Sequence, residues 1–88
     1  MNWRCRAGEI DIVAREGDTL CFVEVKRRLT LGAGRPEEAF TPKKRRKLES
    51  LAALYCKAKG LPAQPMRIDM VAVDESSGRR EIRVYRGV

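Results

Sequence analysis

The sequence predicts an α/β (α+β) fold, a mixed β-sheet carrying one long helix, and three observations predict it. Gly8 to Arg27 mixes apolar and charged residues with the period of a strand pair around a Gly17-Asp18 break. Thr41 and Pro42 open a stretch with apolar residues at helical spacing that stops before Gly60 and Pro62. Two further strand-like runs follow, Met66–Val73 and Glu81–Tyr85. The order β-β-β-α-β-β over 88 residues reads as a single domain, 1–88, with a modest core.

Each element has a local reason. Trp3 to Arg6 reads as a short strand. Glu9–Arg15 and Leu20–Arg27 are the arms of a hairpin, and Gly17 in first loop position suits a type II′ turn. That turn opposes Glu16 to Thr19, Val13 to Phe22, Asp11 to Glu24 and Glu9 to Lys26. One face then presents Ile10, Ile12, Cys21, Val23 and Val25 and is wholly apolar, whereas the other is part core and part polar cluster. Leu29–Phe40 is a loop broken by Gly32, Gly34 and Pro36. Thr41 is a good N-cap and Pro42 suits the first helical position. Leu48, Leu51, Ala52, Tyr55 and Ala58 form the apolar stripe of the helix. Asp74–Gly78 is a turn between the last two strands.

The hairpin holds the chemistry. Glu9, Asp11, Glu24 and Lys26 stand among Ile10, Ile12, Val13, Leu20, Phe22, Val23 and Val25. Charge in a core strand calls for compensation, and two opposed carboxylates repel unless a cation lies between them. Oxygen ligands suit hard divalent ions such as Mg²⁺, Mn²⁺ or Ca²⁺. A lysine beside two carboxylates and a metal is chemistry for phosphodiester hydrolysis. The competing reading is a salt bridge, Glu24–Lys26 or Glu9–Lys26, on a solvated face, and Glu-x-Lys taken alone is a weak motif. Leu20 and Phe22 on the same face weigh against full solvation. Asp69, in an apolar strand, is a secondary candidate whose simpler role is to pair with Arg67 or Arg83.

Composition narrows the function classes. Lys and Arg total 19 against 12 acidic residues, a net charge of +7, which fits an anionic partner such as nucleic acid. No histidine exists, so histidine triads and histidine metal ligands are excluded. Three cysteines, Cys5, Cys21 and Cys56, form no CxxC and read as reduced thiols of a cytoplasmic protein. No apolar run is long enough to span a membrane, and no secretory signal is read behind Met1-Asn2-Trp3-Arg4. Lys43, Lys44, Arg45, Arg46 and Lys47 open the helix against its own macrodipole. With Arg27, Arg28 and Arg35 they are expected to form a basic rim for phosphates. Aromatic residues are too few for base stacking to dominate, so backbone contacts to a duplex or junction fit better.

Asp11 in one strand and Glu24-x-Lys26 in the next, within GEIDIVAREGD (Gly8–Asp18) and FVEVKRR (Phe22–Arg28), resemble the PD-(D/E)XK nuclease superfamily. The nearest likeness is to its Holliday-junction-resolvase-like branch and to the bacterial YraN-like family. Phe40-Thr41 with Lys44, and Arg67 to Ala72, extend the likeness over most of the chain. The resemblance implies a restriction-endonuclease-like core. It matches Asp11 to the metal-binding aspartate, Glu24 and Lys26 to the Glu-x-Lys pair, and Glu9 to a family position just before the aspartate. Proteins of this type usually begin with an amphipathic helix over the sheet. Here the chain enters its first strand at once, so the core is expected without that helix.

The expected function is nucleic-acid binding with Mg²⁺- or Mn²⁺-dependent endonuclease action on DNA, branched or junction DNA included. Asp11, Glu24 and Lys26 would be catalytic, with Asp11, Glu24 and Glu9 on the metal. The alternative is a non-catalytic nucleic-acid-binding or assembly module that retains the scaffold. A homodimer is expected, because a small domain without a front helix leaves apolar surface to cover.

Overall fold

The computed structural model describes residues 1–29 and 34–88. Gly32, expected as a loop breaker, lies outside the described residues. Six strands and one α-helix are formed among the described residues: β1 (Trp3–Cys5), β2 (Gly8–Ile10), β3 (Ile12–Glu16), β4 (Thr19–Arg28), α1 (Pro42–Ala58), β5 (Met66–Asp74) and β6 (Glu81–Tyr85). A 3₁₀ turn, Pro36–Ala39, stands in the segment expected to be loop, with Pro36 opening it and buried. The main sheet has the order β3-β4-β5-β6, and β1 and β2 form a separate two-stranded hairpin. β4 and β5 are parallel, and the other neighbours in the main sheet are antiparallel. The predicted mixed α+β core is therefore present, with the arrangement of a restriction-endonuclease-like sheet and helix.

The tight turn settles the β3–β4 register as expected. Gly17 has φ +60°, a conformation glycine adopts without a Cβ penalty, and Val13 pairs with Phe22 and Glu16 with Thr19. The expected pairs Asp11–Glu24 and Glu9–Lys26 are not part of this ladder. The first hairpin arm breaks at Asp11, because β2 pairs with β1 in the register Trp3–Ile10, Arg4–Glu9 and Cys5–Gly8. Three residues of pairing with a local partner turn β2 away from the main sheet.

That break changes which side chains share a face. Ile10, expected beside Ile12, is fully buried instead under α1, while Ile12 is 37% exposed. The helix lies over the face that carries Leu20 and Phe22 rather than over the wholly apolar one. Leu48, Leu51, Ala52 and Tyr55 pack with Ile10, Val13, Leu20 and Phe22 as one core. Tyr55 makes edge-to-face contacts with Trp3 and Phe22 at centroid distances of 5.5 and 5.7 Å, the geometry aromatic quadrupoles favour. Ala58, expected in the stripe, is exposed at the end of the last turn. Thr41 Oγ1 accepts from the Lys44 N–H at 3.2 Å, and Gly60 at φ +62° follows the helix.

Beyond the helix, the same face of the sheet is held by charge. Asp74 accepts from Arg28 Nη2 at 2.7 Å and from Ser76 Oγ at 2.6 Å. Arg28 also donates to the Gly34 carbonyl at 2.7 Å. Arg83 donates to both carboxylate oxygens of Glu37, at 2.5 and 3.1 Å, and the Tyr85 hydroxyl adds a third bond at 2.7 Å. Hydrogen bonds from Arg83 and Tyr85 outweigh the desolvation of Glu37 and hold its carboxyl down at about 2. Arg28 and Ser76 likewise hold Asp74 well below the ordinary carboxylate range. This network fastens the 3₁₀ turn to β4, β5 and β6 and so fixes where the chain enters α1.

Candidate functional site

β4 delivers Glu24 and Lys26 to one face, two residues apart, beyond Leu20 and Phe22. Phe22 is fully buried, whereas the Glu24 and Lys26 side chains keep 20% and 21% exposure. The strand thus passes from core to a half-buried polar pair. Lys26 Nζ lies 2.9 Å from Glu24 Oε1. The hydrogen bond to Glu24 outweighs desolvation and raises the Lys26 pKa above its ordinary value. Lys26 is consequently a proton donor and a fixed positive charge, and it is not available as a base at neutral pH.

An open cleft of about 240 Å³ leads to this pair. Gly8 and Glu9 of the β1–β2 hairpin, Glu24 and Lys26 of β4, and Lys44, Lys47, Leu48 and Leu51 of α1 line it. The sequence-predicted Glu24, Lys26, Lys44, Lys47 and Glu9 are therefore brought together around one space. The Glu9 carboxylate is turned to Arg4, with Oε2 at 2.8 Å from Arg4 Nε. Asp11 acts on the Lys26 ammonium through space. Its Oδ2 also accepts the Val25 N–H at 2.9 Å, replacing the ladder bond that β3 would have supplied had it continued. Asp11 thus carries both a charge near Lys26 and a backbone bond that closes the strand break.

These two roles separate by mutation. Asp11→Asn retains an acceptor for Val25 and is expected to melt within a few degrees of the parent. Asp11→Ala leaves a part-buried N–H unpaired and is expected to lose about 1–3 kcal/mol. Thermal melts of both variants check this, and equal stability of the two would show that the Val25 bond contributes nothing.

The other predicted residues are placed elsewhere. Asp69 is opposite Val23 in the β4–β5 register, so it lies on the far face from Glu24. It accepts two bonds from Arg67, at 2.7 and 2.9 Å, and one from the Gly87 N–H at 3.0 Å. Arg27 is on that far face as well and pairs with Glu75. Arg28 faces the site side but is bound to Asp74 and Gly34. Arg45 points away from the cleft toward the Val88 carbonyl and Glu49. Lys43 and Arg46 are exposed on the helix. The expected continuous basic rim therefore reduces to Lys44 and Lys47 in the cleft, with Lys43 and Arg46 outside it.

Gly8, the first residue of the GEID stretch but given no role there, lines the cleft. Its φ is +147°, and a Cβ there would lie 3.4 Å from Leu51 Cδ1 and 3.5 Å from Lys47 Cε. The space would hold a Cβ in ordinary contact, and it is the positive φ that makes any other residue strained there. The signal that points to it is a glycine opening a strand, directly before the acidic pair.

Among the described residues, no three acidic or cysteine side chains are gathered as a metal-holding group. The donor set at hand is two carboxylates, each with one oxygen committed, Asp11 to Val25 and Glu24 to Lys26. Asp11 is not among the residues lining the cleft. Two carboxylates are a number that Mg²⁺ usually takes, its shell being completed with water and substrate phosphate, and they are too few for an all-protein cage. Among the described residues no helix is long and apolar enough to cross a membrane.

Comparison with known proteins agrees in naming a family. A protein of Nocardia farcinica is 46% identical over 81 residues, covering 92% of this chain and 64% of that protein. One of Beutenbergia cavernae is 47% identical over 88 residues, 99% of this chain and 75% of that protein. One of Geobacter sulfurreducens is 49% identical over 72 residues, 82% of this chain and 56% of that protein. Each is called a UPF0102 protein, and the chain spans between half and three quarters of their lengths. The model of the family described as "Uncharacterised protein family UPF0102" matches residues 1–73. The chain belongs to the UPF0102 family.

Proposed function

We propose that this chain is a nucleic-acid-binding domain with a PD-(D/E)XK-type, metal-dependent centre that hydrolyses DNA phosphodiesters, branched or junction DNA included. The observation that carries the reading is the half-buried Glu24–Lys26 pair at the base of a cleft also lined by Lys44 and Lys47. Glu24 and Asp11 are the residues to hold Mg²⁺ or Mn²⁺. When bound, such an ion neutralises phosphate charge and acidifies a water. Lys26, kept protonated by Glu24, donates to the oxygen on which negative charge develops. Lys44 and Lys47 draw the strand into the cleft, and Lys43 and Arg46 meet phosphates outside it.

Binding of this kind is salt-dependent. Each neutralised phosphate contributes roughly −0.9 to the slope of log affinity against log salt on duplex DNA. Replacing Lys44 and Lys47 together is expected to flatten that slope by roughly two units, one per lost contact. Fluorescence anisotropy with labelled DNA from low to moderate salt measures it. Affinity that ignores salt would remove the electrostatic mode.

Two observations favour the second reading, a non-catalytic nucleic-acid-binding or assembly module on the same scaffold. Glu9 is drawn to Arg4, and one Asp11 oxygen is spent on the backbone. We also propose self-association through the sheet face opposite α1, where Ile12, Ile82 and Val84 are 37%, 59% and 50% exposed. Light scattering is expected to give twice the 10.0 kDa chain mass, and Ile82→Lys is expected to return it to the monomer value. A monomer at high concentration would exclude the dimer.

A further inference from the structure

The acidic pair that the cleft shares with its lysines conceals an asymmetry. Of the five charged side chains lining it, Glu24 is paired with Lys26 and Glu9 with Arg4. Among the described residues, neither Lys44 nor Lys47 has a carboxylate partner, although carboxylates take up most of the arginines nearby. The two lysines are three apart on α1, so their side chains emerge on one face of the helix. That face also carries Leu48 and Leu51 toward the core, and all four residues line the cleft. Gly8 adds to the placement. It faces Lys47 across the cleft, where a Cβ on Gly8 would come within 3.5 Å of Lys47 Cε, so the glycine leaves that side of the cleft open.

We infer that Lys44 and Lys47 form a seat for a single tetrahedral oxyanion, a phosphate group, at the mouth of the cleft above the Glu24–Lys26 pair. The seat deepens the proposed function, on which its assignment to DNA rests, but it needs no metal. Two ammonium groups without a carboxylate partner on the lining of one cleft repel each other, and an anion held by both relieves that repulsion. Lysine suits the task as a strongly hydrated point charge with three rotatable donors. Glu9 and Glu24, already paired, keep the rest of the cleft near neutrality and so confine the anion to the helix side.

The test is a titration of the full chain with inorganic phosphate and, in parallel, with the phosphodiester dithymidine monophosphate, without divalent metal, followed by amide and lysine-side-chain NMR. Saturable shifts at Gly8, Lys44 and Lys47 are expected. Lys44→Gln and Lys47→Gln should each weaken binding roughly tenfold, the loss of one charge-assisted bond, while Arg79→Gln, at an exposed site just before β6 and outside the cleft lining, leaves it unchanged. Tighter binding of the diester assigns the seat to a strand interior, and tighter binding of inorganic phosphate assigns it to a strand terminus or a free phosphate. Both results support the seat. Shifts that rise linearly without saturation, or that survive both lysine variants in proteins with parental melting temperatures, overturn it. Saturable phosphate binding without DNA binding would keep the seat and defeat the nucleic-acid reading. DNA binding without a phosphate site would do the reverse.

Discussion

Glu24→Ala is expected to lower Mn²⁺-dependent DNA cleavage by about 10³-fold or more while DNA binding persists or tightens. The carboxylate is one of two available to hold the ion, and it also orients Lys26 through the 2.9 Å contact. Under the proposed function its loss would remove a metal ligand and free the ammonium that would stabilise developing charge. Affinity moves the other way, because a negative charge facing phosphate is gone from a cleft that keeps Lys44 and Lys47. Lys26→Ala should cost roughly 10²–10³-fold in rate, the size of losing one aligned donor, with a smaller change in binding. The deciding assay compares parent and Glu24→Ala on duplex, branched and single-stranded DNA with Mn²⁺ and with chelator. Equal residual cleavage by the two proteins would indicate a contaminant and leave the non-catalytic module as the better account.

Phe22→Ala is expected to have the largest effect on stability, about 3–5 kcal/mol. Phe22 is fully buried and is held edge-to-face by Tyr55, so its removal opens a cavity that helix and sheet cannot close together. A loss of that size is comparable with the whole stability of a small domain, commonly about 5–15 kcal/mol. The urea midpoint should fall by roughly 3 M, and the Glu24–Lys26 pair two residues on should lose its fixed position with it. Ile82→Ala, at a 59% exposed site, should change stability by only about 0.5 kcal/mol in the isolated chain. An unchanged midpoint for Phe22→Ala would contradict the packing of α1 on this face of β4.

Features that depend on neighbours along the chain are legible in the sequence. The Thr41 cap, the stop at Gly60 and the Gly17 turn rest on local backbone preferences, and all three are present. The turn in its place carries the Val13–Phe22 and Glu16–Thr19 pairs, and alternation along β4 puts Glu24 and Lys26 on one face. Legibility ends where a strand must choose between partners. Glu9 and Asp11 look like one continuous arm with Val13, but β1 captures Gly8–Ile10, and the arm breaks at Asp11. Alternation shows that a strand has two faces. It does not show which of them a distant helix will cover, so the wholly apolar face resembles the core while the mixed face lies under α1.

Local patterning suffices for the α+β class, the helix and its ends, the tight turn, and a Glu24-x-Lys26 pair beyond a buried Phe22 on one strand face. These follow from interactions spanning a few residues, whose energies depend little on the rest of the chain. Long-range packing sets the rest: Glu9 turns to Arg4, Asp11 closes a strand break at Val25, and Lys44 and Lys47 line the cleft while Arg45 does not. It alone joined Glu37 to Arg83 and Arg28 to Asp74 across 46 residues of chain. Charged side chains bind whichever partner the fold brings within reach, and that choice is made by packing over long separations, where composition and spacing carry no information.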